Sequence, residues 1–226
     1  MMIMIKLLFG TNDLPRGARG ILVKYMCMSD KVVLVDYKAG NLTSVKLAFE
    51  ALGVEAVVTS DPGRIRAAGR VVFPGVGAAA SAMANLKGLG LEDVLREVVA
   101  AGTPFLGICL GMQVLFEHSE EDGGVDLLGI LPGRVRRFPD LPGFKVPEIG
   151  WNQVKGTLAP GVPDGSEFYF VHSYYAEKGP FTVGVTEYAG VEFTAAVRRD
   201  NVFATQFHPE KSGRLGLELL KGWLAC

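Results

Sequence analysis

A chain of 226 residues, 49% of them hydrophobic, has the material for one sizeable core, and one large α/β domain fits it better than two small ones. A formal net charge of −1, without a long basic stripe or an RNA-binding signature, argues against a dedicated nucleic-acid binder. The apolar start MMIMIKLLFG is interrupted by Lys6 and falls far short of the roughly 20 residues a spanning helix requires, so the chain reads as soluble and cytoplasmic, with no membrane partner.

Residues 1–29 have no clear period and carry turn-forming pieces, TNDLPRG and ARG, so they read as a poorly packed lead to a domain of residues 30–226. A start at Met28 would open MSDKVVLVDY, which makes an overextended reading frame one account of the lead and a functional arm the competing one. From Val32 apolar strands alternate with amphipathic helices: Val32–Asp36, the helix Leu42–Leu52, Val54–Val58, Val71–Phe73, the helix Leu91–Ala101, and Pro104–Ile108. Short continuous apolar runs separated by helical patterns predict a mostly parallel central sheet flanked by helices. In such sheets ligands bind beyond the carboxyl ends of the strands, where Asp36, the PGVG loop (Pro74–Gly77) and Cys109 fall.

Cys109 sits in GICLGMQ, Gly107–Gln113, between a strand and a helical stretch expected to run to near His118. Glycines two residues to either side match the spacing of a nucleophile elbow, with sulfur in place of oxygen. Amide dipoles at the helix start and a nearby imidazolium would favour the thiolate. A small buried hydrophobe is the competing reading of an elbow taken alone.

After Gly123 the pattern changes to strands without intervening helices: Arg134–Phe138, Asn152–Lys155, Glu167–Tyr175, Thr182–Glu187, Phe193–Arg199 and Val202–Phe207. Short links between consecutive strands predict antiparallel pairing in the C-terminal half, closed by a helix over Gly213–Leu224. The strand Val202–Phe207 runs into FHPEKS, where extended geometry would turn His208 and Glu210 to the same side as a base with its orienting carboxylate. His118 and His172 lack a carboxylate two residues on and are poorer bases. An oxyanion formed at Cys109 needs fixed donors: the Leu110 N–H follows from the elbow, and the PGVG loop, with Val76, offers a second. Cys27, Cys109 and Cys226 form no disulfide framework and no zinc-ligand spacing, and the three histidines are scattered, so no metal and no cofactor are expected.

GICLGMQ together with His208-x-Glu210 resembles the class I (triad) glutamine amidotransferases. DYKAGN (Asp36–Asn41), VPEIGWN (Val146–Asn152), FYFVHSYY (Phe168–Tyr175) and FHPEKS narrow the resemblance to the glutaminase subunits of imidazole glycerol phosphate synthases, in histidine biosynthesis. The resemblance implies the class I amidotransferase fold. It also implies hydrolysis of glutamine to glutamate through a Cys109 thioester, with ammonia passed to a cyclase subunit of (β/α)8 barrel fold that makes imidazole glycerol phosphate and AICAR, the two forming a heterodimer. By motif position, Gly77, Gln113, Glu121, Ser173 and Tyr174 would hold glutamine, and Lys211, Asn41 and Trp151 would face the cyclase. The family commonly has glycine where this chain has Lys38, and histidine where it has Glu148. Glutaminases of other amidotransferase complexes, and a partner-independent γ-glutamyl cysteine hydrolase, are the alternatives.

Overall fold

β1 (Lys31–Val35) opens the ordered core of the computed structural model, which describes residues 31–39 and 41–225. The lead of residues 1–29, with Cys27, and the terminal Cys226 lie outside the described residues. α1 (Leu42–Ala51), β2 (Glu55–Thr59), α2 (Pro62–Arg66), β3 (Val71–Gly75), α3 (Ala79–Gly88), α4 (Leu91–Ala100) and β4 (Phe105–Cys109) follow in turn. The strands β2, β1, β3 and β4 lie side by side in that order and all pair in parallel.

Burial on both faces explains the continuous apolar runs. Val33 and Val35 of β1 enter one buried cluster with α3 and α4, while Val32 and Leu34 enter another with α1 on the opposite face. α4 presents Leu91, Val94, Leu95 and Val98, spaced to share one helix face, and each such burial is worth roughly 1.5–3 kcal/mol. α2 and α3 were not anticipated from sequence. The signal for α2 was Asp61, whose side chain accepts from the Arg64 N–H, followed by Pro62 in the first turn. α3 (AASAMANLKG) buries Ala79, Ala82, Met83 and Leu86 along one face, and with two alanines among the four that stripe stands out little in the sequence.

The C-terminal half adds β5 (His118–Ser119), β6 (Val125–Asp126), β7 (Arg134–Arg137), β8 (Glu148–Gly156), β9 (Ser166–His172), β10 (Tyr174–Ala176), β11 (Thr182–Tyr188), β12 (Val191–Arg199) and β13 (Val202–Thr205). Most of these pair antiparallel, as expected, and the exceptions place the site. β13 is antiparallel to β12 but parallel to β4, so its end arrives beside the end of the strand that carries Cys109. The run expected as one strand over Glu167–Tyr175 is broken at Ser173: β9 pairs with β8, while β10 pairs with β7 and β12.

Two further expectations are corrected. The helix after Cys109, here α5, covers only Leu110–Gln113 instead of running to His118. The carbonyls of Val114, Leu115 and Phe116 accept from Leu128, Leu131 and Gly129, so they have no continuing helix to serve. The His208–Glu210 segment is not an extended strand. Pro209–Lys211 forms a 3-10 turn, and the closing helix α6 (Gly213–Leu224) buries Gly216 against it. A Cβ on Gly216 would lie 1.9 Å from the Pro209 carbonyl oxygen, so the close approach admits only glycine.

Candidate active site

Cys109 ends β4 with φ 55 and ψ −115, in the strained region that a strand-to-helix elbow imposes on its nucleophile position. Gly111 makes the turn possible: a Cβ there would fall 1.8 Å from the Phe73 carbonyl oxygen of the adjacent strand. The Cys109 side chain is buried at the floor of a cavity of about 310 Å³, whose lining includes Val76, Leu110, Gln113, Glu121, Tyr174 and His208.

β13 ends at Thr205, and the chain then carries Gln206 and His208 across to that floor. His208 is buried and its Nδ1 lies 2.7 Å from Glu210 Oε1; the carboxylate can only accept, so Nδ1 carries the hydrogen. The 3-10 turn, by folding the chain back, brings this pair together where a strand would have held the two side chains apart. The Ser212 hydroxyl donates to the His208 carbonyl at 2.6 Å and accepts from the Tyr169 N–H at 3.1 Å, fixing the turn to β9. Burial opposes a charge on His208, yet the neighbouring Cys109 and the hydrogen-bonded Glu210 carboxylate outweigh it and push its pKa up to about 10. The arrangement suits a thiolate–imidazolium pair held by a carboxylate.

The remaining sequence-derived residues fall into three groups. Leu110 at the helix start, Val76 and Gly77 (φ 97) line the cavity, and burial raises the pKa of the nearby Tyr37 hydroxyl. Gln113, Glu121, Ser173 and Tyr174 line it on other sides. Glu121 Oε2 accepts from the Ala79 N–H at 2.7 Å, so this carboxylate also caps α3; burial leads the causes that raise its pKa, against that hydrogen bond. Away from the cavity, Trp151 is 56% exposed and its ring lies 6.3 Å from that of Tyr169, over which Lys211 Nζ sits at 5.7 Å. Asn41 caps α1, accepting from the Ser44 N–H, and α1 lies beside the turn that carries Lys211. Tyr169 joins Trp151 to Lys211 and was not singled out from sequence; its place opposite Trp151 in the β8–β9 ladder is the reason for the contact.

Both departures from the family pattern have structural content. Lys38 adopts φ 66, a conformation glycine takes without cost, and its N–H donates to Asp36 Oδ1 at 2.8 Å. Glu148 is buried, with Oε2 3.1 Å from His172 Nε2, while its Oε1 accepts from Asn152 Nδ2 at 2.8 Å. His172 thus has a carboxylate partner after all, directly across the β8–β9 ladder instead of two residues along the chain. No group of three or more His, Cys, Asp or Glu suited to a metal occurs among the described residues.

These features bring a cysteine, a histidine and a carboxylate together at one cavity of a doubly covered sheet, and comparison with known proteins gives the family. The family profile of class I glutamine amidotransferases matches residues 33–224, and the chain belongs to that family. It is 52% identical over 198 residues to the imidazole glycerol phosphate synthase subunit HisH of Moorella thermoacetica, covering 85% of this chain and 93% of that protein. It is 50% identical over 197 residues to the subunit of the same name from Methanothermobacter thermautotrophicus, covering 85% and 97%. Among solved structures, a glutamine amidotransferase aligns with TM-score 0.66 at 21% identity over 86% of this chain and 99% of the other, a likeness of fold.

Proposed function

We propose that this chain is the glutaminase subunit of an imidazole glycerol phosphate synthase, with Cys109, His208 and Glu210 as its triad. The observation that carries the chemistry is the buried Cys109–His208–Glu210 array at the end of two parallel neighbours, β4 and β13. The relatives at about half identity, which cover most of this chain and nearly all of their own, favour that synthase over other amidotransferase complexes.

In this reading the thiolate attacks the side-chain amide carbon of glutamine. Its electron pair forms the C–S bond while the carbonyl electrons move to oxygen, where the Leu110 and Val76 N–H groups meet the charge. As the oxyanion collapses, His208 gives its Nε2 proton to the departing nitrogen, and ammonia leaves a thioester. Water then loses a proton to His208, attacks the thioester carbon and releases glutamate, returning Cys109 to its starting state. Glu210 holds the ring and stabilises its charge throughout. Glu121, in the cavity lining, suits the α-ammonium, while Gln113, Ser173, Tyr174 and the Gly77 backbone surround the rest of the substrate.

Ammonia passes to a cyclase subunit of (β/α)8 fold docked on the face of Trp151, Lys211 and Asn41, and the pair works as a cytoplasmic heterodimer. No helix among the described residues is long and apolar enough to cross a membrane. The test measures glutamine hydrolysis with and without a cyclase and its nucleotide substrate, then repeats synthesis with Cys109→Ala. Strong stimulation by the cyclase, with loss of glutamine-dependent synthesis in Cys109→Ala and full recovery on adding ammonium salt, is the expected result. Failure of ammonium to restore synthesis would show that ammonia transfer is not what this chain does.

A further inference from the structure

Gln206 is fully buried between β13 and His208, and the chemistry so far gives it nothing to do. A buried primary amide is costly unless its donors and acceptor are matched, so the partners of this one show what it is for. Its Oε1 accepts from Gln113 Nε2 at 2.9 Å, and its Nε2 faces Cys109 Sγ at 3.8 Å. We propose that Gln206 is a further catalytic residue, whose amide N–H supports the negative charge on Cys109 Sγ. This rests on the reading of Cys109 as the nucleophile.

The direction of the amide follows from its neighbours. The Tyr174 carbonyl can only accept, and it receives Gln113 Nε2 at 2.7 Å, which fixes the nitrogen end of Gln113 toward the interior. The second hydrogen of that nitrogen goes to Gln206 Oε1. Turning the Gln206 amide over would set two NH2 groups against each other and point a carbonyl lone pair at the sulfur. His172 Nδ1 meets the same Tyr174 carbonyl at 2.7 Å, and Glu148 Oε2 lies 3.1 Å from its Nε2. The orientation is therefore set by a main-chain group.

Besides His208 and Gln206, the sulfur faces the Val171 carbonyl at 3.9 Å. A carbonyl serves the thiol, by accepting its hydrogen, and opposes the thiolate. Once the proton has gone to His208, the Gln206 N–H is a donor aimed at the sulfur from a residue outside the cavity lining. The imidazolium must surrender its proton to the leaving nitrogen during the reaction, whereas an amide keeps its own. Gln206 thus supports sulfur charge at each thiolate stage, including the one regenerated when the thioester breaks.

The test uses Gln206→Leu and Gln206→Met, which keep bulk and remove the donor, in the full chain. Cys109 alkylation by iodoacetamide at about pH 7 is measured alongside kcat and KM for glutamine in the complex with cyclase. Hydrogen bonds to charged groups predict that alkylation and kcat each fall about tenfold, with KM within about twofold of wild type. Alkylation or kcat within about twofold of wild type in the folded variants would overturn the proposal. If an apolar side chain at 206 prevents folding, Gln113→Met, which releases the Gln206 amide to rotate, is read by the same alkylation criterion. Alkylation requires neither glutamine nor partner. A wild type that alkylates readily yet never hydrolyses glutamine would overturn the proposed function and leave the Gln206 result standing on its own.

Discussion

His208 and Glu210 differ in what their removal takes away. His208→Ala deletes the proton carrier, and general acid–base catalysis is worth about 10²–10⁴ in rate, so kcat should fall by about a thousandfold. Glu210→Gln leaves the ring in place and weakens only its orientation and charge support, and a smaller loss of about ten- to a hundredfold is expected. Steady-state kinetics giving the reverse order would exchange the two roles. The raised pKa of His208 also has a stability consequence. A histidine whose folded value lies above its unfolded one stabilises the fold fully below the unfolded value of about 6.5, and that contribution is lost as pH rises through about 10. Denaturation midpoints measured between about pH 6 and 11 should therefore decline toward the alkaline end, and less steeply in Glu210→Gln, which lacks one of the partners that raise the value. Parallel curves for the two proteins would mean the pair is not coupled to folding.

At the scale of elements, the elbow is the joint that holds β3, β4 and α5 in one arrangement. Gly111→Ala places a methyl carbon on the Phe73 carbonyl, an overlap that β3 cannot relieve without disturbing its pairing with β4. The variant should lose more than about 3 kcal/mol of stability, read from urea denaturation, or fail to accumulate as soluble protein. Near-normal stability would mean that the elbow can open. The elbow was legible in sequence because two glycines flank a single cysteine, and β1, β3 and β4 because strands buried on both faces are written as unbroken apolar runs. α3 was not, since two of the four residues on its buried stripe, Ala79 and Ala82, are too small to mark it. Nor was the true end of α5, because the carbonyls just beyond it, of Val114, Leu115 and Phe116, accept from the later loop residues Leu128, Leu131 and Gly129. For the candidate site, His208 and Glu210 were legible as a pair but for the wrong reason: a 3-10 turn joins them. Gln206 and the Glu148–His172 contact were hidden because both depend on neighbours brought in from other strands.

Across the whole molecule, one face carries the exposed Ile149 and Trp151 together with Tyr169 and Lys211, immediately outside the buried triad. Lys211→Ala should leave the partner-free glutaminase rate nearly unchanged and reduce its stimulation by the cyclase by about tenfold, as loss of a partly shielded charge pair would. Equal stimulation in variant and wild type would put the docking face elsewhere. The amidotransferase match begins at residue 33, so a chain lacking residues 1–28 should keep its activity and melt within a few degrees of the full chain; insolubility would show that the lead packs on the core.

The parallel pairing of β13 with β4 also sets the order of events during synthesis. The strand bearing Cys109 leaves the ribosome long before the strand that brings Gln206, His208 and Glu210 has been made, and the gap it must hold open lies in the middle of the sheet. Contacts so distant in sequence form late and slowly. A nascent chain stopped short of β13 would display the cysteine without its base, and the active enzyme appears only when the last strand slots in beside it.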